Sequence, residues 1–364
     1  MFPGHGPNPM TGRRFPHTTS LVREPMPSPA AALRFPHERV FLPRTKLAYV
    51  HLRNLLTDAK RDRAGRVSGY VAIWLPDELV LLYLQQGEVV NATATHDGRR
   101  YVALPIAEAI GKVPAEPELG EICFHEAADD QLAAMYATQC SPESVLAWPG
   151  ELDARLPEAI FPFLAATTFD GVVEIASGGL MNYLVFRDGA VQRGFLADGE
   201  SGPLVGRVQR LFSSDPRRMT REVRHWPPAP PLPAQASPAL IQAYRELMGA
   251  LVRRLVADFV EGAPAIAEAA RQRLVAEHPA LGAFVGCARG DDRPVTPARP
   301  ARDTILPADA VTAATAAWVR ELLPAAAAMG GPEPEVLLRE VARDRRHVFQ
   351  SQGFFDLLPW KVAW

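Results

Sequence analysis

Gly171-Val172-Val173-Glu174-Ile175, then Ser177-Gly178-Gly179, then Tyr183-Leu184-Val185-Phe186-Arg187-Asp188-Gly189-Ala190-Val191 is the stretch that decides the fold class. Two runs of strand-forming residues are parted by a Gly-rich turn, the pattern of an antiparallel meander. Asp188-Gly189 supplies the positive φ angles that a two-residue hairpin needs. The same pattern stands 102 residues earlier, where Gly69 answers to Gly171 and Gly87 to Gly189. Leu82 and Leu184, Leu84 and Phe186, Val89 and Val191, and Ala92 and Gly194 keep that interval. Glycine is about 7% of residues in general, so it is the matched apolar positions inside the strands that establish a duplication.

Outward from the meanders, each unit gains flanking helices. Leu47, Val50, Leu52, Leu55 and Leu56 approximate helical spacing between Lys46 and Lys60. Tyr70 to Trp74, Leu79 to Leu84 and Glu88 to Ala94 are the first three strands, followed by a helical Tyr101 to Lys112. Gly120-Glu121-Ile122-Cys123-Phe124-His125 reads as a further strand and Asp129 to Thr138 as a helix. The second unit opens with a helix from Leu156 to about Thr167 and runs through Val208, Leu211 and Phe212. The expected class is α+β: two tandem helix/antiparallel-meander units followed by an all-α helical bundle. Open sheet edges suggest that the two units pair through them.

The leading helix, the Gly at the head of the first strand, the hairpin Leu184 to Val191 and the strand Gly120 to Phe124 together resemble the PATAN domain family. The resemblance covers roughly residues 45 to 212 as two copies. It implies a bacterial adaptor of the kind found with two-component response regulators and gliding or pilus-related signalling proteins. Gln86 departs from the family's acidic turn residue, and no phosphoacceptor receiver domain is present, so control by phosphorelay would come from another chain.

The duplication places domain boundaries at 45–139 and 140–225. Residues 1–44 hold nine prolines and no sustained apolar period, which predicts a disordered or extended tail. Phe15-Pro16-His17 recurs inside it as Phe35-Pro36-His37, either by chance in a biased composition or as a pair of short anchors that dock on a partner or on the protein's own domains. Residues 226–238 form a Pro-rich linker, stiff and extended. It ends in Ser237-Pro238, a helix start. Leu240, Tyr244, Leu247, Leu251, Leu255 and Phe259 then fall at steps of three and four. A helix from Ala263, a stripe at Val311, Ala314, Trp318 and Leu322, and another at Val336, Leu337, Val341 and Val348 complete a bundle over 239–364. Pro324 is expected to kink its helix, and a mobile loop is expected at about 288–306. The end of the chain, with Phe354, Phe355, Leu357, Leu358 and Trp360, is too apolar for a solvated tail. It packs on the bundle, or it inserts into a partner's groove.

The 39 basic and 41 acidic residues of the 364 leave a formal charge of -2, so no global field draws in nucleic acid or an anionic membrane. Three cysteines are too few for a disulfide framework, and the longest apolar runs are far shorter than a membrane span, which predicts a cytoplasmic protein. Cys123 and His125 share a strand face, but no second close pair supplies the four ligands of a structural zinc. Asp97 and Asp198 sit in matched loops as turn residues. No phosphate-cradling loop, dinucleotide fingerprint or serine elbow is present.

The expectation is therefore a non-enzymatic adaptor that works by protein-protein interaction, with no catalytic, cofactor or metal residues. Its candidate partner-binding residues are Phe15, Phe35, Phe354, Phe355, Leu357, Leu358 and Trp360. The partner is a protein, possible homo-oligomers included. The rival expectation is a small-ligand sensor with an apolar pocket around Tyr244, Met248 and Trp318.

Overall fold

The two hairpin turns set the geometry of both sheets. Gln86 and Gly87 have φ of 51° and 80°, and Asp188 and Gly189 have 50° and 74°, so each pair takes the left-handed conformation at both central residues. Gln86 thus adopts the turn that its acidic counterpart adopts. The computed structural model describes residues 28–61, 67–200, 202–213, 221–258, 260–287 and 305–364.

In the first sheet β1 (Arg39–Lys46), β2 (Gly69–Trp74), β3 (Leu79–Gln85), β4 (Glu88–Thr95), β5 (Val102–Ala103) and β6 (Glu121–Glu126) are ordered β1-β6-β2-β3-β4-β5. The second sheet has β7 (Gly171–Ser177), β8 (Leu180–Arg187), β9 (Ala190–Phe195) and β10 (Glu222–Trp226), ordered β10-β7-β8-β9. Every pairing between these strands is antiparallel. The order β6-β2-β3-β4 recurs as β10-β7-β8-β9. Even an irregularity recurs: the register slips between Tyr83 and Leu84 against β4, and between Val185 and Phe186 against β9. Those sites are 102 residues apart, so a β-bulge was duplicated with the strands.

The glycines heading β2 and β7 are also explained alike. A Cβ on Gly69 would stand 2.1 Å from the His125 carbonyl oxygen, and one on Gly171 would stand 2.1 Å from that of Trp226. In both units the neighbouring strand lies where a side chain would begin.

One face of the first sheet, with Val71, Ile73, Val80, Leu82 and Phe124, packs under α1 (Leu52–Arg61) and α2 (Ile106–Gly111). The matching face of the second, with Val173, Ile175, Leu184 and Phe186, packs under α4 (Pro157–Ala166) and α5 (Leu204–Ser213). The remaining faces share a core. Tyr70, Ala72, Leu81 and Tyr83 of one sheet and Val172, Met181 and Tyr183 of the other meet around α3 (Asp129–Cys140). The expectation of edge-to-edge pairing is thus corrected: the units meet face to face. Burying both faces removes far more apolar surface than an edge contact does, and it explains why the inner strands read as near-continuous apolar runs.

The segment expected to be disordered or extended is partly built into this core, with Phe35 docked on the protein's own domains. Residues 28–38 cross between the sheets, where Arg34 makes a parallel bridge to Leu180 and the Ala30 carbonyl accepts Trp74 Nε1–H at 3.2 Å. β1 then pairs with β6. Two further differences are local. Leu47 forms a short 3-10 turn before α1 rather than joining it, and the stretch expected as helix from Tyr101 contributes β5 first.

The linker is extended but not free. Leu232 is buried in the shared core, and Gln235 fastens the chain to the first unit. Its backbone N–H donates to the Val90 carbonyl at 2.8 Å, while its amide Nε2 donates to Asn91 Oδ1 and the Leu104 carbonyl and its Oε1 accepts from Ile106 N. Beyond it, Ser237 Oγ caps α6 (Pro238–Ala257) by accepting from Leu240 N. α7 (Ala263–Leu274), α8 (Ala308–Ala327), α9 (Pro334–Ala342) and α10 (Arg346–Ser351) complete the bundle. α8 runs unbroken through Pro324.

Candidate partner-binding edge

Sheet edges are where a β protein can gain a strand from elsewhere, and most proteins blunt them. The fold has four. β1 carries Pro43 in mid-strand, flanked by Arg39, Arg44 and Lys46, so one N–H is missing and the rest are fenced by charge. β5 is only two residues long. The outer side of β10 is covered by the preceding segment, with Leu146 N donating to the His225 carbonyl at 2.8 Å and Trp148 Nε1 to that of Val223 at 3.0 Å. β9 is the exception. It has no proline, Ala190 to Arg193 are exposed, and among the described residues no other segment bonds the backbone of its outer side.

The first unit shows what such an edge accepts. There β4, the counterpart of β9, is covered by two extended pieces of its own chain. β5 pairs with Thr93 and Ala94, and Leu104 N donates to the Ala92 carbonyl at 2.9 Å. Gln235 N then donates to the carbonyl of Val90, the residue at the bulge. At the 102-residue interval these acceptors become the carbonyls of Gly194 and Gln192. The counterpart of β5 would be Leu204 and Val205, but these open α5 instead.

A proline causes the difference. α2 starts from Pro105, whose carbonyl accepts from Ala109 N, whereas α5 starts from Pro203, whose carbonyl accepts from Arg207 N. These prolines are 98 residues apart, so relative to the repeat the second helix begins four residues early and consumes the covering strand. Leu204 packs over Gly194, and Val205 beside it is 70% exposed. The register gives Arg193 and Arg187 the same sheet face, on the side of α3. Arg193 pairs with Asp130 at 2.8 Å in a solvated bridge.

Two buried polar clusters are the other places where chemistry could reside. Around the tail's Phe35-Pro36-His37, the Phe35 ring meets Tyr70 edge-on at 6.0 Å, and the His37 ring lies 4.2 Å from that of His125. The Tyr70 hydroxyl lies 3.1 Å from both the Phe35 and Pro36 carbonyls and 2.9 Å from His125 Nδ1. A hydroxyl that donates its one proton toward these carbonyls can accept from the Nδ1–H tautomer of His125. Burial, then the neighbouring His37, holds the His125 pKa down to about 4. Burial also pushes the Cys123 thiol up to about 12, so it is not a thiolate. The expected Cys123–His125 pair is thus joined by a tail histidine. Among the described residues no three His, Cys, Asp or Glu side chains are grouped to hold a metal ion.

Between the sheets, Glu174 is buried and bonded to Arg224 at 2.7 Å. Desolvation raises its pKa, and Arg224 opposes the rise. Tyr101 and Tyr183 lie near it and Tyr83 lies near them, all with raised pKa from burial. Tyr83 donates to Gln139 Oε1, while among the described residues the Tyr101 hydroxyl and the Gln139 amide nitrogen have no partner. The cluster places a buried, paired acid between the two units.

Phe15 of the expected site lies outside the described residues, as does most of the loop expected at 288–306. Phe35 is 3% exposed and seated in the chain's own core. Phe354 is buried against Tyr244 and Phe349, and Leu358 is buried with it. Phe355 and Trp360 pack partly on the same core, and Leu357 is exposed. The aromatic end therefore packs on its own bundle. Tyr244 donates to Thr312 Oγ1 at 3.0 Å and Trp318 Nε1 to the Ala267 carbonyl at 2.8 Å, both fully buried, so their polar atoms are already committed within the protein. Among the described residues no helix is long and apolar enough to cross a membrane. No known protein family, curated protein or solved structure matches the chain.

Proposed function

We propose that the protein is a non-enzymatic adaptor that binds an extended segment of another protein along β9. The observation that carries this reading is the β9 edge, which no described segment covers and whose counterpart β4 is covered by strands of its own chain. Main-chain hydrogen bonds along an open edge supply affinity without a prebuilt pocket, and the flanking side chains supply choice of partner. The tandem helix, hairpin and later strand support a PATAN-like adaptor of bacterial signalling, in which the first unit closes on itself and the second recruits.

The test is site-specific photocrosslinking in the native host. A benzoylphenylalanine placed at Val191 on β9 is compared with one at Val40 on the fenced edge of β1. A crosslinked protein obtained from Val191 alone, and abolished by Gln192→Pro, is the expected result. Proline is tolerated at bulges but blocks an added strand. Equal crosslinking from both edges, or none from β9, overturns the reading.

A further inference from the structure

The first unit covers its own edge with a residue that suits it. Asn91, beside the bulge of β4, accepts from Gln235 Nε2 at 2.8 Å and donates its own amide to the Pro233 carbonyl at 2.8 Å. An amide thus reads an amide, and the covering strand is held by side chain as well as backbone. The residue 102 positions later is Arg193. A guanidinium donates only, so the side chain that replaces Gln235 on this edge must accept.

Charge around the position points the same way. Arg193 is 60% exposed at its side chain, and Arg187 is on the same sheet face, exposed, with no ion pair among the described residues. Among the described residues the carboxylate that pairs with Arg193 is Asp130, from the first turn of α3 and itself partly exposed. A solvated pair of this kind is worth little and is readily exchanged.

Resting on the reading that β9 receives a partner strand, we infer that the partner is an acidic extended segment. It lies antiparallel to β9, donates backbone N–H groups to the Gln192 and Gly194 carbonyls, and presents a Glu or Asp to Arg193 where the first unit presents Gln235. The specificity of the two units thus diverged at a single pair of side chains.

The probes are two synthetic peptides with the sequence of residues 229–238, one with Gln at the position of Gln235 and one with Glu. Binding to the full chain is followed by NMR titration of the Gly194 amide. The Glu peptide is expected to bind about three- to tenfold tighter than the Gln peptide, a preference that shrinks in high salt. Arg193→Asn should abolish or reverse the preference, Asp130→Asn should enlarge it, and Gln192→Pro should remove binding of both peptides. Equal affinities on the unaltered chain overturn the acidic preference while leaving strand addition standing. No shift at Gly194 with either peptide at millimolar concentration overturns both. A concentration-dependent dimer that Gln192→Pro dissolves assigns the edge to a second copy and also overturns the inference.

Discussion

The Glu174 cluster makes opposite predictions for one chemical change at two neighbouring tyrosines. Tyr101 is buried with no partner for its hydroxyl among the described residues, and the same burial drives its pKa up. An unbonded hydroxyl inside a protein costs about 1–3 kcal/mol. Tyr101→Phe removes that cost and leaves a gap of only one oxygen, so it should stabilise by about 1 kcal/mol. Tyr83 donates to Gln139 Oε1, whose next partner is Thr93 Oγ1 at 3.4 Å. Tyr83→Phe leaves that acceptor only the long Thr93 contact and should cost about 1–2 kcal/mol.

Scanning calorimetry reads both changes. In a cooperative unit of roughly 200 residues each kcal/mol moves the midpoint by roughly 2–4 °C. The expected pattern is a rise for Tyr101→Phe and a fall for Tyr83→Phe in the transition assigned to the paired sheets, with the bundle transition unmoved. A fall of several degrees for Tyr101→Phe refutes the reasoning: the hydroxyl is then bonded to ordered water, and the cluster is a hydrated site instead of a dry one.

Stability should also respond to pH through His125. Above about pH 6.5 both folded and unfolded chains carry a neutral ring. Below it the unfolded chain takes a proton that the folded chain refuses until about pH 4, so stability falls across that window. Linkage sets the loss at no more than roughly 3 kcal/mol, about halved because the ring is partly solvated, and the difference between the parent and His125→Gln urea midpoints isolates it. Glu174 contributes with the other sign, since a raised carboxyl pKa favours the fold as pH falls. Gly69→Ala should destabilise by about 1–3 kcal/mol or more, because its Cβ meets backbone and not a movable side chain; an unchanged urea midpoint contradicts that contact. Gln235→Ala should cost about 1–3 kcal/mol and speed amide exchange in β5 and at Ile106, which lose their clamp. Phe354→Ala should destabilise the bundle by about 3–5 kcal/mol, seen as a lower bundle midpoint, whereas the exposed Leu357→Ala should change its stability by no more than about 0.5 kcal/mol.

The duplicated meander was legible because strands buried on both faces need apolar residues at nearly every position, and those residues kept the repeat interval. Helix starts such as Ser237-Pro238 were legible for a similar local reason. β1 was not, because Pro43 and its basic neighbours are what make an edge strand safe and also what make a sequence look unstructured. β10 was missed because Glu222-Val223-Arg224-His225-Trp226 carries no clean apolar alternation and runs straight into a proline-rich stretch. Face-to-face docking could not be read at all: it depends on α3, Phe35 and Leu232 converging from distant parts of the chain. The aromatic tail was read correctly as apolar, but composition alone does not say whether such a segment packs at home or abroad.

The β9 edge stands between these cases. Its strand was visible and its exposure was not, yet the cause lies in the sequence. Once the copies are aligned at 102 residues, Pro105 and Pro203 fall out of step by four. Proline fixes φ and lacks the N–H that a first helical turn leaves unused, so it marks where a helix begins. A helix that begins four residues early takes Leu204 and Val205 from the sheet, and an extended pair covering the edge becomes a helical turn beside it. Asn91 and Arg193 are likewise aligned and differ, one suited to hold an amide from its own chain and the other suited to hold an acid from outside. In a duplicated protein the informative positions are therefore the ones where the copies disagree, because matched residues maintain the common fold and mismatched ones reveal what each copy does with it.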